Sequence, residues 1–129
     1  MPFEIHDQGP FLSARLFGVL DLRDLNALVE EVERIESEAP APKDRITDLT
    51  ALDRIDVGFE EVFAVAHRRA QRQVTAPIRS ALIAVQPVHF GFARMFQMLN
   101  DNPRIQIRIF PSLDEAVLWL ESKAIKSLG

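Results

Sequence analysis

The residues of this sequence that could do chemistry gather between positions 48 and 58. Asp48 ends a short predicted strand, the polar stretch after it carries Thr50, Asp53 and Asp56, and Gly58 precedes a helical pattern. This order predicts a strand that ends at Asp48, then a polar loop and a helix. In α/β proteins, functional residues commonly lie at such joints, at the carboxyl end of strands. The three carboxylates could bind a divalent cation. Because their spacing fits no known metal motif, we favour turn and helix-cap roles for them.

A second group of chemically capable residues opens the third predicted helix. His89 and Arg94 frame its first turns, with Phe90 and Gly91 between them. Free N–H groups at a helix start can hold a phosphate or carboxylate, and a histidine there could contact the anion or donate a proton. The alternative is a surface histidine beside a solvated or salt-bridged arginine, which is the commoner arrangement.

Two further groups have both a functional and a structural interpretation. His67, Arg68, Arg69 and Arg72 could dock an acidic partner or a membrane surface, but basic residues at a helix end also complement the helix dipole. An aromatic series in the third predicted helix could line a ligand cavity, although its helical spacing fits core packing. Outside that spacing fall two candidates for a partner surface, Phe90 and Met98.

Catalytic motifs are absent from the sequence. It has no nucleophile elbow, phosphate-binding glycine loop, dinucleotide fingerprint or paired-histidine zinc motif. His6, His67 and His89 fall on different predicted elements without a clear catalytic partner, and no cysteine exists to act as a nucleophile or zinc ligand. These features argue against an enzyme and predict neither cofactor nor metal.

Composition limits the class of protein. The 129 residues suit one domain with one core. A net charge of −4 argues against nucleic acid binding, which needs concentrated positive charge. No apolar run is long enough to span a bilayer, and the first residues lack the pattern of a signal peptide. We therefore expect a cytoplasmic protein.

The elements that must position these residues alternate along the chain. Hydrophobic periodicity and turn signals predict the order β-β-α-β-α-β-α-β-α, an α/β fold whose mixed sheet is mostly parallel. The predicted strands occupy residues 3–6, 11–19, 45–49, 78–85 and 104–110. The predicted helices begin near residues 21, 59, 88 and 112. We predict one domain over residues 1–122 and a flexible tail at residues 123–129.

Three segments carry a resemblance to a known family. They are residues 48–58, with Asp48 and Thr50 followed by Asp56 and Gly58; ALIAV at 81–85 leading into FGFARMF at 90–96; and IFPSLDEAVLWL at 109–120. In this order they resemble the SpoIIAA-like proteins, which are related to the STAS domains of anti-sigma-factor antagonists and to the lipid-binding SEC14 (CRAL-TRIO) fold. The resemblance implies a single-domain β-α superhelix with helices mainly on one side of the sheet.

The chain departs from STAS antagonists at one informative position. Those proteins carry a serine just after the second aspartate, where a kinase partner phosphorylates it, whereas this sequence has Val57. Valine has no hydroxyl, so the usual phospho-switch cannot operate there. Thr50 is a conceivable substitute, but a threonine at a strand end commonly bonds to local groups instead.

Together the residues and the resemblance lead to two functional expectations. The first is a non-catalytic, STAS-like regulatory or protein-interaction module that binds a protein partner or itself as a homodimer. Its surface would include Asp48, Thr50, Asp56, Val57 and Gly58, with a second patch at Phe90. The alternative is a carrier or sensor of a small anionic or lipid-like ligand, bound near His89, Gly91 and Arg94. Trp119 could cover the core edge or lie in a dimer contact.

Overall fold

The computed structural model describes residues 3–39, 41–72, 74 and 76–128, with side chains described to residue 122. Its strands are β1 Phe3–Asp7, β2 Phe11–Asp21, β3 Asp44–Asp56, β4 Ile78–Ile83 and β5 Ile105–Phe110. Its helices are α1 Leu22–Glu38, α2 Phe59–Ala70, α3 Pro87–Leu99 and α4 Leu113–Leu128. The predicted element order is therefore confirmed, whereas the flexible tail at 123–129 stays a prediction, with Gly129 outside the described residues.

The five strands form one sheet in the order β1-β2-β3-β4-β5. β1 pairs antiparallel with β2, and each following pair is parallel. The hairpin turns at Gly9, whose φ of +91° is a conformation that glycine adopts without strain. The sheet is mixed and mostly parallel, as the sequence predicts.

Helices cover both faces of the sheet unequally. Leu25 of α1, Val62 of α2 and Phe92 of α3 belong to one large buried cluster with one sheet face. The opposite face carries a smaller cluster, to which α4 contributes Ala116, Trp119 and Leu120. Three helices therefore lie on one side and α4 on the other, which confirms the prediction of helices mainly on one side.

The third strand is longer than predicted. Local composition predicts an end near residue 49, but β3 continues to Asp56 and includes Thr50 and Asp53. This prediction was wrong because β2 runs parallel beside the whole segment, until Asp21 pairs with Asp56. Backbone pairing along β2 thus holds polar residues in extended conformation that local composition assigns to a loop.

Irregular pairing accompanies this extension. Relative to β2, β3 contains one extra residue between the pairs Arg15–Asp48 and Phe17–Ala51, and a second one just after Gly18. Gly18 has a φ of +73°, which favours glycine. Such bulges interrupt the alternation of inward and outward side chains, so a search of the sequence for strict alternation could not have located this strand end.

Candidate functional site

A cavity of about 130 Å³ lies between the sheet and the three helices of its larger face. Its walls are mainly apolar, because inward residues of β2, β3 and β4 meet the buried stripes of α1, α2 and α3. Representative lining residues are Leu16, Leu28, Val29, Leu82, Phe92 and Phe96. The space is therefore chemically suited to an apolar group.

Polar residues line the cavity near one edge of the sheet. Arg45 is the second residue of β3, Arg69 lies in the last turn of α2, and Asn100 caps the end of α3. Because the helices run back across parallel strands, helix ends and strand starts lie at the same edge. The polar lining is thus opposite the carboxyl edge of the strands, where the sequence analysis expected the site.

Three arginines converge on one carboxylate at this edge. Arg45 Nη1 donates to Glu36 Oε2 at 2.7 Å, Arg69 Nη1 donates to Glu36 Oε1 at 3.2 Å, and Arg72 Nη2 forms an ion pair with Glu36 Oε2 at 2.7 Å. The side chains of Arg45, Arg72 and Glu36 are only 12%, 14% and 13% exposed. We call Arg45, Arg69 and Arg72 with Glu36 the arginine cluster.

Positive charge exceeds negative charge around the arginine cluster. Glu33 contacts Arg69 at 3.4 Å but is shared with Arg68, and Asp44 contributes attraction to Arg45. Among the described residues of this network, four arginines therefore face three carboxylates. An electropositive, largely buried site next to an apolar cavity follows from this balance.

The ionisation of the buried arginines reflects this environment. Burial, and next repulsion from Arg69, lowers the pKa of the Arg45 guanidinium to about 9, although attraction to Glu36 opposes the change. The pKa of Arg72 is lowered by burial and then by Arg69. A nearby anion would favour the charged form of both side chains.

Two donors of the arginine cluster have no partner in the described part of the chain. They are the buried Arg45 Nε and Arg72 Nη1. Buried polar groups are nearly always hydrogen-bonded, and an unpaired donor on a charged group is especially costly. The arginine cluster therefore retains donor capacity that Glu36 does not use.

The residues predicted around the strand–helix joint do not line the cavity. The Thr50 N–H and hydroxyl both donate to Asp48 Oδ1, at 2.9 and 2.6 Å. Val57 is half-buried against the main core, and the Gly58 N–H donates to Glu61 Oε1 at 2.8 Å. The joint itself is only two residues long, between Asp56 and α2.

The residues predicted at the start of the third helix are not brought together as an anion site. His89 is only 2% exposed, so the surface-histidine alternative is wrong; its Nδ1 has no partner among the described residues. Arg94 is exposed and donates to Gln97 Oε1 at 2.9 Å. Phe90 and Gly91 are exposed, and none of the four lines the cavity.

The metal alternative for the acidic residues gains no support. Across the described residues, no three histidine or acidic side chains come together in an arrangement that could hold a metal ion. Likewise, no helix in the described part of the chain combines the length and apolar character needed to cross a bilayer.

Comparison with known proteins identifies the fold. No family model and no curated protein matches the sequence. One similar solved structure is that of an uncharacterised protein of the DUF3478 family with a SpoIIAA-like fold, from Shewanella loihica PV-4. The two are 16% identical, the match covers 92% of this chain and 93% of that one, and the TM-score is 0.61. The chain therefore has a SpoIIAA-like fold, which confirms the resemblance at the level of fold.

Proposed function

We propose that this SpoIIAA-like domain is a non-catalytic carrier or sensor that binds a small, largely apolar molecule in its core cavity. The cavity carries the proposal. Its volume of about 130 Å³ is similar to that of an engineered protein cavity of about 150 Å³ that stays dry and binds benzene. A ligand with a body of about six carbon atoms would fill it.

The chemistry of the lining supports binding without turnover. Thr47 and Ser80 supply hydroxyl groups, but no histidine, aspartate or glutamate is among the described residues that line the cavity. A hydroxyl nucleophile needs a neighbouring base or an equivalent activating group. The alternative function from the sequence analysis is thus favoured, but at a different place from the one first considered.

Filling the cavity tests this function. Ala93 is fully buried and lines the cavity, so Ala93→Leu should occupy the space that the ligand needs. We expect titration with benzene or hexan-1-ol, followed by backbone amide NMR shifts, to move signals from cavity residues in the native protein. In Ala93→Leu these shifts should be lost while the spectrum stays that of a folded protein.

The matched control makes the same change away from the cavity. Ala64 is exposed on α2 and does not line the cavity, so Ala64→Leu should bind both probes as the native protein does. Binding that survives in Ala93→Leu, or no binding by the native protein at millimolar probe, would contradict the cavity as the site.

A second candidate function is self-association through α2, in the manner of a protein-interaction module. Phe59 and Phe63 lie one helical turn apart and are 65% and 48% exposed. Exposed aromatic pairs of this kind often mark contacts. Phe59 follows directly after Val57 and Gly58, two residues of the partner surface predicted from the sequence. Because residue 57 is a valine and has no hydroxyl group, such a contact would not depend on phosphorylation at that residue.

Sedimentation velocity over a range of protein concentrations tests the second candidate. We expect the native protein to be a dimer and the Phe59→Lys variant to be a monomer. The free energy of unfolding should change by less than about 0.5 kcal/mol, because the side chain is exposed. Val88→Lys, at an equally exposed site on α3, should leave the dimer intact. A native protein that is monomeric at all concentrations would remove this candidate.

A further inference from the structure

The unsatisfied donors of the arginine cluster specify more than an apolar ligand. Arg45 Nε and Arg72 Nη1 are buried without acceptors in the described part of the chain, although each guanidinium already forms an ion pair with Glu36. Glu36 therefore satisfies only part of the donor capacity of these two side chains. An additional hydrogen-bond acceptor would satisfy the remaining N–H groups of Arg45 and Arg72.

The geometry brings the two guanidiniums to the same place. Arg45 Nη1 and Arg72 Nη2 both lie 2.7 Å from one oxygen, Glu36 Oε2, so the two groups are neighbours. Arg45 also lines the cavity. An acceptor that enters from the cavity would thus meet Arg45 first, and small side-chain movements would bring the neighbouring Arg72, which does not itself line the cavity, within reach.

A carboxylate has the properties that this end of the cavity requires. Its two oxygens can accept hydrogen bonds from two guanidiniums, and charge-assisted bonds of this kind are about twice as strong as neutral ones. Its charge would balance the positive excess that Glu33, Glu36 and Asp44 leave around the arginine cluster. A neutral head group could accept hydrogen bonds but could not balance the charge.

The cavity volume limits the size of the hydrocarbon body of the ligand. About 130 Å³ accommodates an aliphatic or aromatic body of about six carbons. A long acyl chain would require the three covering helices to move apart. The apolar walls and the cationic end together select a short amphiphile.

We propose that the ligand is a short monocarboxylic acid, with its carboxylate bound by Arg45 and Arg72 and its hydrocarbon body in the cavity. This inference rests on the proposed function, because it assigns the head group of the molecule bound there. Glu36 holds the two arginines in position, and the incoming carboxylate binds the donors that Glu36 leaves free.

Hexanoate and hexan-1-ol separate the two claims because they share a six-carbon body and differ in the head group. We expect calorimetric or NMR titration of the native protein to give an affinity for hexanoate at least about tenfold higher than for hexan-1-ol. Acetate, which has the head group without the body, should bind more weakly than hexanoate. Arg45→Met should weaken hexanoate binding about tenfold and change hexan-1-ol binding less than about twofold.

A control and a second variant keep the test decisive. Arg23→Met removes an exposed arginine from α1 and should leave both affinities unchanged. Arg72→Met provides an independent test of the head-group contact and should also weaken hexanoate selectively. The inference would be overturned if the native protein bound hexanoate and hexan-1-ol equally well, or if the two arginine variants bound both molecules more weakly by the same factor. The cavity would remain a binding site in either case. Binding of neither probe would overturn the proposed function as well.

Discussion

Replacing Glu36 with glutamine is expected to lower the free energy of unfolding by about 3–5 kcal/mol, the usual cost of removing one partner of a buried ion pair. Glu36 forms ion pairs with all three arginines of the arginine cluster. Glutamine has nearly the same shape but no charge, so three largely buried cations would lose their shared counter-ion. The high cost follows from the uncompensated charge and not from lost packing.

Urea denaturation at neutral pH measures this effect. Glu30→Gln is a matched control, since Glu30 is exposed on the same helix and its replacement should change stability by less than about 0.5 kcal/mol. A loss below about 1 kcal/mol in Glu36→Gln would contradict the description of Glu36 as the central buried carboxylate. Low ionic strength should not be needed to see the effect, because buried pairs are weakly screened.

Replacing Trp119 with alanine is expected to cost about 3–5 kcal/mol, because it removes the largest side chain of the smaller hydrophobic cluster. Trp119 is buried, its ring lies 5.4 Å from the ring of Phe110, and the Arg79 guanidinium sits 4.9 Å above it. The side chain thus covers the sheet face opposite the cavity, in keeping with the core-covering role that the sequence left open.

Leu118→Ala provides the comparison for this prediction. Leu118 is the preceding residue of α4 and is largely exposed, so its replacement should cost less than about 0.5 kcal/mol. Thermal and urea unfolding of both variants measure the difference. Similar small losses in the two variants would mean that α4 does not cover this face of the sheet.

The sequence was informative where local periodicity and burial agree. The apolar stripe of α1, the alternation of Ile105, Ile107 and Ile109, and the capping signal before α4 each predict an element that the structure contains. The strand end at residue 49 was wrong because pairing with β2, a non-local interaction, extends β3 to Asp56. Local composition carries no record of that pairing.

The arginine cluster could not be predicted from residue spacing. Glu36 belongs to α1, Arg45 to β3 and Arg69 to α2, and helix-dipole complementarity explained Arg69 and Arg72 without any site. One signal was present: Arg45 and Thr47 alternate with Ile46 and share a face with Leu49. An arginine on the core face of a strand needs a buried partner, and it could have directed attention to this edge.

His89 shows the opposite problem. Its type and its place near a helix start suggested an anion contact, yet the side chain is buried, while Arg94 is exposed and donates to Gln97. Helical position alone does not say whether a residue faces the sheet, since that depends on how α3 packs. The residue type made His89 a plausible anion contact, but the packing of α3 buries its side chain.

The most direct test of the account is a crystal structure of the protein soaked with hexanoate. We expect density for one molecule in the cavity between the sheet and α1, α2 and α3, with its carboxylate within hydrogen-bond distance of Arg45 Nε and Arg72 Nη1. An empty cavity at saturating hexanoate, or a molecule bound only at the surface, would contradict the proposal that this SpoIIAA-like domain binds a small acid in its core.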